Sequence, residues 1–459
     1  MVFNEFFLLN GNRRHQWIAI GETFLISIVM GMVSGWTSPS LAQLSGPDSP
    51  IPIDPHQAQW IVSLLIIGRI IGFVITLITT QYIGSKKILF LVGVIEAFGL
   101  LCLAIANSIL WIYLSRFICG ISFGMFTMTF PVYIGEISSP KIRGTMVCFV
   151  ASGLTVGFLF GSIIAAYKTI LFSLLALGIN LIFVGSFYWQ PETPYHLVKI
   201  DKIIEAEVSI KHYQCDVCNV KNEIESLKIF INAKDTYTYY DMFRELMISH
   251  NRQALINLNI FHILSALSGS FTVIFYLQIL LTDARVTIIN PADTVIALTT
   301  IGLVGEIMAV FVGDKLGRKV LLSVSNIGIG IAFIGIASHF LLLNYGYEPT
   351  NLQWLPIIAT VLFTIFINFG LVSVPSIILS ELFAPNVKTI SVFICNIIGS
   401  LAAFLSSFTY DLLLSNIGYN LYFYFAFIII IATLFVIIFL PETRGKSLQD
   451  IQEMLQNKL

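Results

Sequence analysis

Glu136 stands seven residues before Arg143, and Glu381 seven before Lys388, so an acid followed by a base is written twice into the chain, 245 positions apart. Two further marks repeat in step. Pro191-Glu192-Thr193 answers Pro441-Glu442-Thr443, and Gly84-Ser85-Lys86-Lys87 answers Gly317-Arg318-Lys319, with Asp314 just ahead of the latter. Carboxylates and cations at helix ends form ion pairs worth about 1 kcal/mol in a wet setting. Contacts of that strength suit a reversible latch between two states of similar energy. Glu136, Arg143, Glu192, Asp314, Arg318, Lys319, Glu381, Lys388 and Glu442 are therefore read as a gating set that can pair across two halves of the chain when an inner mouth between them is shut. The bland alternative, charges that only set orientation against lipid headgroups, does not require the same seven-residue spacing twice.

Bond-making chemistry is not indicated. No His, Asp and Glu cluster with metal or nucleophile spacing falls inside an apolar run. Cys215 and Cys218, with His212 nearby, offer three zinc ligands at most where a structural site takes four, and are read as reduced thiols. The expectation is a protein that is not an enzyme and uses no metal or other cofactor. Its net charge of −1 gives no reason to expect a nucleic-acid partner.

The elements that must position these charges are membrane helices. The 459 residues are 56% hydrophobic and 11% charged, against about 25% charged in an ordinary soluble domain, and the mean hydropathy is +0.86. Twelve apolar runs, the first near 17–36 and the last near 419–440, each reach the ~20 residues of helix that cross a bilayer core. With no water to satisfy separate backbones there, helix is the state available to them. If both termini are cytosolic, that side receives 21 of the 25 basic residues, and the other side only Lys168 and Arg285. That asymmetry predicts an even number of spans with both ends inside. The first run follows Arg13-Arg14, lacks a small-residue cleavage site and is read as a retained span.

The predicted organisation is an N-terminal six-helix bundle over 1–190, a cytosolic linker over 191–253, a C-terminal six-helix bundle over 254–445 and a tail over 446–459. Within the linker, 199–212 and 219–230 alternate Lys and Glu with Ile, Val and Leu at helical spacing, predicting short amphipathic helices that latch the halves. Leu448, Ile451, Met454 and Leu455 predict another in the tail. Glycines four apart, such as Gly68/Gly72, Gly120/Gly124 and Gly153/Gly157/Gly161, predict close helix crossings. Glu22, Arg69, Glu96, Arg116 and Glu306 lie inside spans, where each costs about 2.5–3.5 kcal/mol and needs a partner or a wet cavity.

The run Arg116 through Gly120, Gly124, Pro131, Tyr133, Gly135, Glu136, Pro140, Arg143 and Gly144 resembles the fourth span and following loop of the sugar porters of the major facilitator superfamily. GDKLGRK at 313–319, SELFAPNVK at 380–388, LSG at 267–269 with Tyr276, and PETRGKSLQDIQ at 441–452 extend the resemblance along almost the whole chain. PETPY at 191–195 and NVK at 386–388 look most like the insect facilitated trehalose and hexose transporters. The resemblance implies an all-α membrane protein of twelve transmembrane helices in two pseudo-symmetric six-helix bundles. It implies facilitative, alternating-access transport of a sugar, with a small-molecule solute and the lipid bilayer as partners and the cell membrane as location.

The same resemblance implies where solute binds: Thr37, Ser152, Ser265, Ser268, Ser270, Phe271, Tyr276, Asn368, Ser376 and Asn396. Several family contacts are replaced. The seventh span reads Ser265-Ala266-Leu267-Ser268-Gly269-Ser270-Phe271 where the family has amides. The fifth-span glutamine falls on Ala151, and the tryptophans of spans ten and eleven fall on Ser376 and Ile397. Thr37 stands where a proton-coupled member has an acid, which favours uniport. Gln81 and Ser85 stand where the family has Asp and Arg, implying a looser first-half gate. A transporter of a nonsugar solute, or a membrane sensor that does not transport, remain the other readings of a rebuilt pocket.

Overall fold

The last helix shows which solvent the chain is built for. In Leu421–Phe439, Phe427, Ile430, Leu434, Ile437 and Ile438 are exposed, while Tyr422, Phe425, Ala426, Ile429, Ala432 and Val436 are buried. Members of each set follow at three- and four-residue steps, so the helix has one covered and one bare face, both apolar. A bare face of Ile, Leu and Phe is stable against hydrocarbon and not against water.

The computed structural model describes residues 14–47, 49, 51–138, 142–167, 169–213, 220–234, 239–383 and 385–444, and among them every regular element is a helix. Among the described residues, eleven apolar helical stretches are long enough to cross a membrane. The last, Val387–Phe439, has 53 residues, about 80 Å of helix if continuous, far more than one crossing. It contains two helices, Pro385–Ile417 and Leu421–Phe439, joined by a tight turn at Gly418–Asn420. Counted so, the described spans number twelve. The proposed tail helix over 446–459 and the Cys215/Cys218 pair lie outside the described residues.

Three spans are interrupted. The first passes from Arg14–Gly35 to Thr37–Leu44. The seventh breaks between Ser249–Leu267 and Ser270–Asp283 at Gly269, whose φ of +68° favours glycine and where a Cβ would fall 2.4 Å from the Phe425 ring. The tenth runs through Trp354–Phe366, a π-helical turn at Ile367–Leu371, and Val374–Leu382.

Contacts divide the chain into two compact units. The first comprises Met1–Ser34, Gly68–Phe158 and Ile170–Thr238. Its helices cross at the paired glycines: a Cβ on Gly157 would meet the Ile28 carbonyl oxygen at 2.0 Å, and one on Gly68 the Phe117 carbonyl oxygen at 2.3 Å. The second unit comprises Gly35–Ile67, Leu159–Thr169 and Tyr239–Leu459. There Thr37–Leu44 packs on Ser270–Asp283, where the Gln278 N–H donates to Ser38 Oγ at 3.1 Å. Gln43 donates to the carbonyls of Ala165 and Ala166, and Trp60 sets its ring edge-on to Phe408 at 5.4 Å. The units thus group 35–67 and 159–169 with the later spans, which the sequence division at 190 does not.

The linker forms helices Pro194–Lys199, Ile203–Tyr213 and Val220–Lys234. Leu197, Val198, Ala206, Ile210, Val220, Ile224 and Ile231 make a small core among them. This assembly docks within the first unit. Tyr213 donates to the Pro191 carbonyl at 2.8 Å, its hydroxyl lies 3.3 Å from that of Tyr133, and Ser209 donates to the Glu192 carbonyl at 2.6 Å.

The docking contains a pH-sensitive contact. His212 Nε2 lies 3.2 Å from Gln190 Oε1, Gln190 donates to Glu22 Oε2 at 2.8 Å, and the His212 ring lies 4.3 Å from that of His15, tilted by 32°. Burial first, and then the neighbouring His15, lower the His212 pKa below its ordinary 6.5. A lowered imidazole pKa favours the docked state while the ring is neutral. That contribution is present above about pH 6.5 and is lost as pH falls toward the folded value. Hydrogen exchange over Ile203–Tyr213, corrected for intrinsic rates, is expected to accelerate between about pH 7.5 and pH 5.5. The same acceleration in His212→Gln would show that another group is responsible.

Candidate solute site and charged clasps

Each glycine of the repeated basic motif starts a helix with the same backbone geometry. Gly84 has φ 87° and ψ 154° ahead of Ser85–Ala104, and Gly317 has φ 90° and ψ 157° ahead of Arg318–Asn344. The first N–H groups of such a helix have no carbonyl partner, and a carboxylate there also meets the positive end of the helix dipole. The repeated Pro-Glu-Thr supplies it. Glu192 Oε1 accepts the Lys86 N–H at 3.1 Å; Glu442 accepts the N–H groups of Arg318 and Lys319, each at 3.0 Å. Burial raises the pKa of Glu192 above its usual value, opposed by the backbone N–H groups of Thr193 and Lys86 and then by the lysine charges.

Beside each cap sits the glutamate of the other motif. Arg318 Nη2 donates to Glu381 Oε1 at 3.1 Å, and Thr443 Oγ1 donates to Glu381 Oε2 at 2.5 Å. In the first half, Ser85 Oγ donates to Glu136 Oε2 at 2.6 Å. Ser85, standing where the family has a base, thus keeps a bond to the glutamate without its charge. Among the described residues, each of these clasps joins residues of one half. Their partners are fixed by the short distance from a helix start to its neighbour's end, which the linear spacing of Glu136 and Arg143 does not reveal. Arg143 is exposed at the first turn of Arg143–Tyr167, Lys388 is half-buried in Pro385–Ile417, and the Asp314 side chain lies outside the described residues.

Nine of the ten solute-site residues lie in the second unit; Ser152 lies in the first, its hydroxyl turned back to the Phe149 carbonyl at 2.8 Å. At the break in the seventh span, Ser268 Oγ donates to the Ser265 carbonyl at 2.7 Å and sits 2.8 Å from Ser270 Oγ. These hydroxyls satisfy the interrupted backbone and each other. Two groups are left over: Ser265 Oγ and Tyr276 Oη are buried without a hydrogen-bond partner. Tyr276 stacks on Tyr410 at 4.7 Å, and Tyr410 and Tyr422 share a hydrogen bond of 2.8 Å. Thr272 meets Ser406 at 3.1 Å, and Ser63 meets Ser407 at 3.4 Å. Thr37 is fully buried, Phe271 and Asn396 are half-buried, and Ser376 is exposed.

Asn368 lies in the π-helical turn, its amide bonded to the Thr364 carbonyl at 2.9 Å. A wider turn releases backbone groups from the α ladder, and Ser325 from the ninth span takes up two of them. Its Oγ donates to the Phe366 carbonyl at 2.5 Å and accepts the Leu371 N–H at 3.1 Å. Gly328 makes room for Phe366, since a Cβ there would fall 2.1 Å from the ring. Ser325→Ala is expected to cost about 1–3 kcal/mol through two orphaned backbone groups, read as a lower melting temperature in detergent. Ser325→Cys, which keeps a weak donor and acceptor, is expected to lose less, and equal losses would mean that packing alone matters. The turn and its serine, with Tyr410, Tyr422 and Ser406, were missed from sequence; a serine facing an extra-residue turn leaves no spacing signal.

Of the charges inside spans, Glu22 is bonded to Gln190, the Ser122 hydroxyl donates to Glu96, Arg116 Nη1 donates to the Val33 carbonyl at 2.9 Å, and Glu306 also has an interaction partner. Arg69 differs. Its only described interaction is with the Phe123 ring, whose centroid is 6.0 Å from the guanidinium carbon, and its Nε is buried without an acceptor. At the outer limit of a cation–π contact that ring returns roughly 0.5–1 kcal/mol, less than the about 2.5–3.5 kcal/mol that a mid-span arginine costs.

The comparisons agree with this architecture. The family described as "Sugar (and other) transporter" matches residues 21–455. The chain is 26% identical over 444 residues to the facilitated trehalose transporter Tret1 of Apis mellifera ligustica, covering 95% of this chain and 87% of that one. It is 25% identical over 438 residues to the sugar transporter ERD6-like 6 of Arabidopsis thaliana, covering 94% and 88%. The inward-open xylose transporter XylE from E. coli superposes with a TM-score of 0.76 at 18% identity, over 95% of this chain and 99% of that one, which shows a shared fold. With twelve spans, repeated caps and a match across nearly its full length, the chain belongs to the sugar transporter family.

Proposed function

We propose that this multi-pass membrane protein is a facilitative transporter that carries a sugar or a closely similar polyhydroxylated solute by alternating access, in the cell membrane with both termini cytosolic. The observation that carries the reading is the broken seventh span, with Ser265 Oγ and Tyr276 Oη buried and unpaired on either side of the break. Discontinuous membrane helices expose polar groups at mid-bilayer, where solute can bind. Buried hydroxyls without partners are rare unless something else meets them. Thr37 in place of an acid supports uniport. Glu136, Arg143, Glu192, Asp314, Arg318, Lys319, Glu381, Lys388 and Glu442 act as the gating set of the conformational cycle, and the caps and clasps made by Glu136, Glu192, Arg318, Lys319, Glu381 and Glu442 support that role.

The reading predicts that purified protein in liposomes equilibrates a labelled sugar from a panel including trehalose, glucose and xylose, at the same rate with and without a pH gradient. Accumulation above equilibrium driven by the gradient would overturn uniport, and no flux of any solute would overturn transport. Ala266 and Phe271 in place of amides favour a second reading, a nonsugar solute, which competition by a chemically varied panel separates from the first.

A further inference from the structure

Arg69 is the middle residue of the 29-residue helix Pro55–Ile83, about 21 Å from either end, too deep for its side chain to reach the membrane surface. The helix shows which way that side chain is aimed. Val74 and Ile78 are exposed, while Val62, Leu65, Phe73 and Thr76 are buried. At about 100° per residue, Arg69 lies on the opposite side from Ile78 and among the buried set. It lies on the covered side of the helix, away from the bare apolar face, and is partly exposed. The helix cannot easily turn it elsewhere, because a Cβ on Gly124 would fall 2.2 Å from the Arg69 carbonyl oxygen and one on Gly72 would fall 2.2 Å from that of Ile121. Among the described residues no carboxylate pairs with Arg69 and no acceptor meets its Nε.

We infer that Arg69 binds an oxyanion carried by the solute, a carboxylate or a phosphate, beside the Phe123 ring. A planar guanidinium holds either group through two parallel N–H donors, and at low local dielectric that pairing outweighs any bond to a neutral hydroxyl. The inference rests on the transport reading above and narrows its cargo to acidic or phosphorylated polyhydroxylated solutes.

The test uses the full chain in phosphatidylcholine liposomes at clamped potential, with labelled glucuronate, glucose 6-phosphate, inorganic phosphate and glucose, and equilibrium binding of the same probes in detergent. At least one oxyanion is expected to show a kcat/KM roughly 10-fold or more above that of glucose. Arg69→Leu should abolish that preference, and Arg69→Lys should lose part of it. Preference for glucuronate assigns a carboxylate and for glucose 6-phosphate a sugar phosphate, whereas inorganic phosphate acting equally well assigns the free ion; each supports the inference. Glucose flux with no oxyanion bound or carried, or oxyanion flux unchanged in Arg69→Leu, overturns it and leaves transport standing. Oxyanion binding that needs Arg69 but is never followed by flux keeps the inference and overturns transport. Absence of both binding and flux for every probe overturns both.

Discussion

Replacing Gly157 with valine is expected to prevent assembly of the first unit. A Cβ at this position would lie 2.0 Å from the Ile28 carbonyl oxygen and 2.7 Å from its carbon, so the obstacle is backbone and cannot rotate away. The first and fifth spans would have to separate, losing the dispersion contacts that hold membrane helices together where no hydrophobic force between them exists. Gly31 makes the reciprocal approach, where an added Cβ would fall 2.0 Å from the Leu154 carbonyl oxygen, so the crossing is closed from both sides. Overpacking costs about 1–3 kcal/mol when side chains can adjust, and more is expected here. The readout is the yield of monodisperse protein by size-exclusion chromatography. Gly178→Val is the control, because nothing lies within 4 Å of a Cβ there. Equal yields from the two variants would sink the close-crossing argument.

The second large effect is expected at Glu442. Its carboxylate takes the N–H groups of Arg318, Lys319 and Arg444, each at 3.0 Å, and abuts Gly317, where an added Cβ would fall 2.7 Å from Glu442 Oε2. Glu442→Ala leaves the start of Arg318–Asn344 uncapped and removes the anion from the helix dipole. Hydrogen bonds to charged groups are worth about 1.5–3 kcal/mol, and partial exposure lowers the net loss to about 2 kcal/mol. Glu442→Gln keeps an acceptor and is expected to recover about half of that in thermal stability. In the transport assay, both variants should change the ratio of influx to efflux rates, because the cap lies at one membrane face only. Wild-type stability and rates in Glu442→Ala would show that water caps this helix as well as the carboxylate does.

The spans were legible in the sequence because their length and apolarity are set by the bilayer and by nothing else in the chain. The repeat was legible as well. Gly84 and Gly317, and Glu192 and Glu442, resolve into one geometry used twice. The partners of the charges were not legible. Glu381 is hydrogen-bonded to Arg318, 63 positions away, and Thr443, 62 positions away, while Lys388, seven positions away, meets it only as a nearby charge, because helix ends from distant parts of the chain converge on the same carboxylate. The solute contacts were legible only through the family pattern. Ser265 and Ser270 fall at the break because Gly269 makes it, but which hydroxyls the backbone would consume, Ser268 rather than Ser265, depends on rotamers that no spacing encodes. Arg69 was recognisable as costly; that no carboxylate pairs with it among the described residues depends on where the surrounding helices carry their acids.

The π-helical turn at Ile367–Leu371 amounts to one residue more than an α-helix needs. Losing a single codon there would let the segment relax to regular helix and would rotate everything downstream by about 100° relative to what precedes it. Glu381, ten residues beyond Leu371, would then swing away from Arg318 and Thr443. The reading frame of this short stretch therefore sets the register of a clasp it never touches, and an in-frame deletion there would act as an electrostatic mutation at a distance.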